Sequence, residues 1–160
     1  MIRTSALCLF TLMLFGCQKK EQPGGPSPSP NTANSAAVPA TPPVAGKLVV
    51  TAELMEISGP FPANELYNYA FIMKYKVVKV LQGEYKDADI LVGHYNPRIP
   101  RSEIADEQKP NVGGNLKSFQ IGDLHYLVLD DLDGIFHGSI EDDYYKDRRG
   151  RYWARWADKL

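Results

Sequence analysis

Three histidines, His94, His125 and His137, supply every imidazole in this 160-residue chain. Any imidazole base or imidazole metal ligand must therefore be built on them. Each falls on or beside a different expected strand, from which a three-histidine zinc site could assemble. Neither H-x-H nor H-E-x-x-H spacing occurs, and His94 and His125 fit a strand face equally well. Asp130, Asp131 and Asp133, followed by Gly134, carry part of a calcium-loop pattern. Leu129 and Ile140 stand where that loop needs acids, so a polar turn between strands is the simpler reading. No metal or other cofactor is expected. A nucleophile elbow of the form G-x-S-x-G is missing, and the adjacency of His137, Gly138 and Ser139 does not make a triad.

The second group with chemical potential is the C-terminal tail. Tyr144, Tyr145, Tyr152, Trp153 and Trp156 lie among Arg148, Arg149, Arg151 and Arg155. Tyrosine, tryptophan and arginine are the usual anchors of interfaces, and aromatic rings also stack on sugars and bases. Tyr144, Tyr145, Trp153 and Trp156 are accordingly the candidate contacts for a ligand or partner. The other reading has both tryptophans plugging one end of the fold, with the arginines solvated. Trp153, Trp156 and Leu160 recur at helical spacing, which predicts a closing helix. The formal charge of −1 offers no global field for nucleic acid, which is not an expected partner.

These groups need a scaffold, and the sequence is patterned for strands. Tyr69–Leu91 is its centre. Phe71, Met73, Tyr75 and Val77 alternate with Lys74 and Lys76, and the alternation slips at Val77–Val78. A slip of one residue inside a strand predicts a β-bulge where a long strand serves two sheets of one small barrel. Gly83–Asp87 turns the chain, and Asp89–Tyr95 returns. Lys47–Ile57 alternates as a first strand. Leu124–Asp130, apolar on both faces, reads as a central strand, and Ile135–Ile140 as a fifth, shorter one. The long polar stretch 96–120 has room for one short helix, Ser102–Gln108.

The N-terminus reads differently. Arg3 precedes an apolar run, Ala6–Phe15, of about ten residues against the roughly 20 needed to span a bilayer. Leu14-Phe15-Gly16-Cys17 resembles the lipobox of bacterial lipoproteins, with Phe15 larger than the family's usual small residue. That resemblance implies a signal peptide over 1–16, cleavage before Cys17 and acylation of Cys17. Two or three acyl chains would hold the protein stably on a membrane, where one would not. Gln18 stands at the position where the family's inner-membrane retention signal is Asp, so an outer-membrane, periplasmic location is expected. Residues 17–46 are rich in Pro, Gly and Ser and read as a disordered tether. Both cysteines, Cys8 and Cys17, fall in the signal region, so the domain at 47–160 has neither a disulfide nor a thiolate metal site.

The strand order, with its long loop, is similar to that of an OB-fold barrel. Tyr75–Tyr85 (YKVVKVLQGEY) and Phe119–Leu129 (FQIGDLHYLVL) resemble strand segments of the netrin-like branch, whose best-known members inhibit metalloproteinases. Gln82 stands where that branch usually has Lys. The resemblance implies a five-stranded OB-like barrel acting as a binding module. Metalloproteinase inhibition is not implied, because the N-terminal cysteine and disulfide frame of that family are missing. The expectation is a lipid-anchored cell-envelope protein, not an enzyme, that binds another envelope protein or a polysaccharide. The alternative is a periplasmic hydrolase or metal-dependent enzyme using His94, His125 or His137.

Overall fold

The computed structural model describes residues 45–65 and 67–160. The expectations for the signal peptide, Cys17 and most of the tether lie outside the described residues. Six strands follow in order: β1 (Leu48–Glu56), β2 (Tyr69–Gln82), β3 (Asp89–Tyr95), β4 (Leu124–Asp131), β5 (Ser139–Glu141) and β6 (Arg151–Lys159). Five of them close a ring in the order β1-β4-β6-β3-β2 and back to β1. Every pairing in the ring is antiparallel except β3 with β6.

Alternation decides what faces inward. Leu48, Val50, Ala52 and Leu54 of β1 meet Phe71, Met73 and Tyr75 of β2, Ile90 and Val92 of β3, and Leu127 and Leu129 of β4 in the barrel core. Each such aliphatic side chain contributes about 1.5–3 kcal/mol when fully buried. A second cluster coats the outer face of β2, β3 and β6. There Ala70, Ile72, Leu91 and Trp153 pack under Ile104, Val112, Leu132 and Phe136 from the loops.

The expected bulge is present where the pattern slips. Ala52 pairs with Val77 but Thr51 pairs with Lys79, so Val78 is the extra residue, and it is exposed. Val77 and Val80 both stay against the barrel core. The bend lets the first half of β2 pair with β3 and the second half with β1.

Three expectations need correcting. The segment carrying Trp153, Trp156 and Leu160 is not a closing helix: Arg151–Lys159 is β6, the fifth strand of the barrel. Its three-residue apolar spacing comes from a bulge. Leu129 pairs with Ala154 and Val128 with Trp156, so Arg155 is extra, and Ala154 and Ala157 both point into the core. A helix there would have left β3 and β4 with unpaired edges. The segment expected as a fifth barrel strand is shortened to β5, Ser139–Glu141, which lies outside the ring, parallel to Tyr69–Phe71 of β2. The short helix at Ser102–Gln108 is reduced to one 3-10 turn, Arg101–Glu103, without a side-chain cap. Arg101 turns inward there and is buried, which ties the turn to the barrel end instead of letting it continue as a helix. Among the described residues, no helix is long and apolar enough to cross a membrane.

Candidate functional site

Two of the three histidines do converge. His94 of β3 and His125 of β4 sit on inward-facing positions and reach the same hydroxyl. Tyr75 Oη lies 3.0 Å from His94 Nε2 and 3.3 Å from His125 Nδ1. A phenol can donate to one ring nitrogen and accept from the other, so one hydroxyl serves both. The ring of Phe119 closes over His94 at 4.6 Å, and the guanidinium of Arg101 lies 5.4 Å from the centre of Phe119. All three polar partners are fully buried. Burial drives the His94 ring well below its ordinary value and pushes His125 down to about 4, with the Arg101 charge adding to the effect on His94. Burial likewise raises the Tyr75 phenol and lowers Arg101 to about 10. Tyr75, His94 and His125 form a neutral hydrogen-bonded group shut off from solvent, with the Arg101 cation beside it.

His137 is elsewhere, exposed in the turn after β4, and the three-histidine arrangement is not formed. No group of three His, Cys, Asp or Glu side chains among the described residues is placed to hold a metal ion. The acidic turn is occupied by cations: Asp130 pairs with Arg155 and accepts from the Lys47 amide, and Asp131 pairs with Lys47 Nζ.

The aromatic tail is dispersed. Trp153 is buried and stacks on Phe136, with ring centres 4.9 Å apart. Trp156 is half-buried over Val49, Tyr126 and Val128, and its indole N–H donates to Asp158 Oδ2 at 3.0 Å. Tyr144 packs against the outer cluster, and burial raises its phenol. Tyr145 alone projects freely, 72 % exposed. The arginines are not simply solvated. Arg151 pairs with Asp142 and donates to three loop carbonyls, and Arg149 pairs with Asp147, holding the loop between β5 and β6 onto the barrel.

Two hollows adjoin on the outer cluster, and a third, larger one of about 460 Å³ is lined by Asn115, Lys117, Ser118, Asp123 and Lys159. Of the adjoining pair, one, of about 150 Å³, is lined by Gln108–Val112, Ile135, Trp153 and Arg155. The other, of about 170 Å³, is lined by Asn68, Tyr95, Gln108, Lys109 and Phe136–Gly138. Lys109 and Gln108 belong to both. The wall is well held. Asp106 Oδ1 accepts from the Gln108 and Lys109 amides at 2.9 and 2.7 Å, and Tyr95 Oη donates to Asp106 Oδ2 at 2.6 Å. Gly113 N donates to Arg155 O at 2.9 Å, laying the long loop along β6. On the opposite rim Asn96 donates to Asn68 Oδ1 at 2.8 Å, while its own Oδ1 accepts from the Tyr69 amide. Lys109 Nζ donates to Ile135 O at 3.1 Å and hangs 5.0 and 5.6 Å from the Phe136 and Trp153 rings.

Of these lining residues, only Trp153 and His137 were candidates on sequence grounds. The signal for Gln108–Val112 was the length of the segment 96–120, since a long loop inside a compact domain is usually functional; Asn68, Tyr95, Ile135, Phe136, Gly138 and Arg155 carried no such signal. No protein-family model matches the chain, and neither curated proteins nor solved structures yield a match.

Proposed function

We propose that this chain is a lipid-anchored cell-envelope protein whose barrel is a non-catalytic binding module, with a polysaccharide as its ligand. The single observation that carries the ligand site is the pair of adjoining hollows that meet at Gln108 and Lys109. Each hollow is smaller than the roughly 300 Å³ at which ligand pockets usually begin, but two in series suit a chain of small rings. Asn68, Gln108 and Asn111 offer amides to hydroxyls, while Tyr95, Phe136 and Trp153 are buried and form the floor beneath them. The ring order, with only β3 and β6 parallel, supports an OB-like barrel. In OB-folds the β2–β3 face and its flanking loops commonly take oligosaccharides, and the second hollow adjoins the ends of those strands. An enzyme using the histidines is the weaker reading, since His94 and His125 are sealed in the core away from His137.

A panel of purified cell-wall polysaccharides, immobilised and probed with the protein, tests the site. The double variant Asn68→Ala/Gln108→Ala is expected to lose about tenfold or more in affinity for whichever polymer binds, measured at a temperature where a melt shows the variant still folded. Binding that is indifferent to both substitutions would place the ligand elsewhere.

An envelope protein is the second reading, favoured by Tyr67 and Ile140, which are exposed around β5. Anchoring rests on the lipobox-like sequence ending at Cys17, with Gln18 directing the protein to the outer membrane. Cys17→Ala is expected to abolish incorporation of a fatty-acid probe in cells, and a label that persists would refute the anchor.

A further inference from the structure

We infer that the groove at Lys109 selects an acidic polysaccharide, with a uronate-type carboxylate of the ligand seated on the Lys109 ammonium; this rests on the polysaccharide reading above. The chain as a whole carries 18 basic and 19 acidic side chains, so a cleft with no acid in it is a local choice. Neither hollow is lined by a single Asp or Glu, whereas Lys109, Arg155 and His137 all line them. Arg155 is already neutralised by Asp130. Lys109 makes no ion pair among the described residues and has one protein acceptor, Ile135 O, for its three N–H groups. The Phe136 and Trp153 rings below it stabilise the cation without satisfying its remaining donors. Lys47, Lys74, Arg149, Arg151, Arg155 and Lys159 are each paired with a carboxylate, and Lys109 is set apart from them by standing unpaired in a cleft without an acid.

Position matters as much as charge. Lys109 stands where the two hollows meet, so an anion bound to it lies between consecutive ring sites, as a carboxylate does on each residue of a polyuronate. The hollows are each of the order of one hexose ring, and Gln108 beside Lys109 can bridge neighbouring hydroxyls.

The test is calorimetric titration of the full-length chain with an oligogalacturonate and with the same oligomer after its carboxylates are reduced to alcohols. The acidic oligomer is expected to bind about tenfold more tightly, with the gap closing as salt rises from about 0.05 M to about 0.5 M. Lys109→Gln should remove the preference for the acidic oligomer over the neutral one, and Lys109→Arg should retain it. Equal binding of the two oligomers would overturn the inference and leave the polysaccharide reading standing. Binding of neither oligomer would overturn the inference, and the polysaccharide panel decides separately whether the reading beneath it also falls.

Discussion

Lowering the pH from 7 to about 4 is expected to weaken the barrel by about 3 kcal/mol through His125 alone. The ring is held neutral in the folded protein, with its folded value pushed down to about 4 against an ordinary 6.5. Below 6.5 the unfolded chain takes up a proton that the folded chain refuses. Stability therefore falls as pH falls from 6.5 to about 4, by up to ~1.4 kcal/mol per pH unit. His94 acts in the same direction, because its ring is more deeply buried and faces the Arg101 charge. Such a loss is a large share of the roughly 5–15 kcal/mol that holds a domain together. The groups facing these rings are Tyr75 from β2 and Arg101 from the 3-10 turn, with the Asp123–Lys159 pair near His125. Asp147, held low by Arg149, loses its proton-linked stability only at more acidic pH, so the two effects separate. Urea midpoints measured across the range should slope steeply between pH 6.5 and 4. His125→Gln, which keeps a hydrogen-bonding partner for Tyr75 but cannot titrate, should flatten that slope by about one proton. A folded-state His125 resonance titrating near 6.5 would contradict the neutral group.

The second large effect is expected at Gly114. Its φ of +136° is one that side chains rarely adopt, and a Cβ there would come within 1.9 Å of the Ala157 carbonyl oxygen. The obstacle is backbone of β6, which cannot swing aside as a side chain would. Gly113 accepts from Ala157 N at 3.0 Å and donates to Arg155 O, so this turn is the strip that carries the long loop along β6 beyond the end of β3. Gly114→Ala is therefore expected to cost about 3 kcal/mol or more, combining backbone strain with loss of those bonds. Gly122→Ala is the internal control. Its φ is also positive, at +90°, but nothing lies within 4 Å of the added carbon, so only the smaller conformational cost remains. Thermal melts of the two variants should differ clearly, and equal melting temperatures would show that the loop does not bear on β6.

The strands of this barrel were readable because alternation is a local property. Leu48, Val50, Ala52 and Leu54 announce β1 without reference to any other residue, and the slip at Val77–Val78 announces the bulge of β2. At β6 local reading failed for a physical reason. A bulge at Arg155 converts the two-residue period into a three-residue one over Trp153–Ala157, which imitates a helix turn. Only the need of β3 and β4 for a common neighbour resolves that ambiguity, and that need is visible only once the ring is assembled. The fifth strand was misplaced for the same reason, since Ile135–Ile140 has the composition of a strand but the ring had no vacancy for it.

The site divides along the same line. Composition and spacing determined by themselves that this chain makes a β-rich, cysteine-free domain with a near-balanced charge and histidines on inward-compatible positions. Tertiary structure alone decided that His94 and His125 would share one tyrosine hydroxyl while His137 stays at the surface. It also buried Trp153, half buried Trp156, and raised Lys109, a loop residue, to the meeting point of two hollows. The physical reason is range: periodicity is set by neighbours along the chain, whereas a cleft is made by segments distant in sequence, which only strand pairing and loop docking bring together.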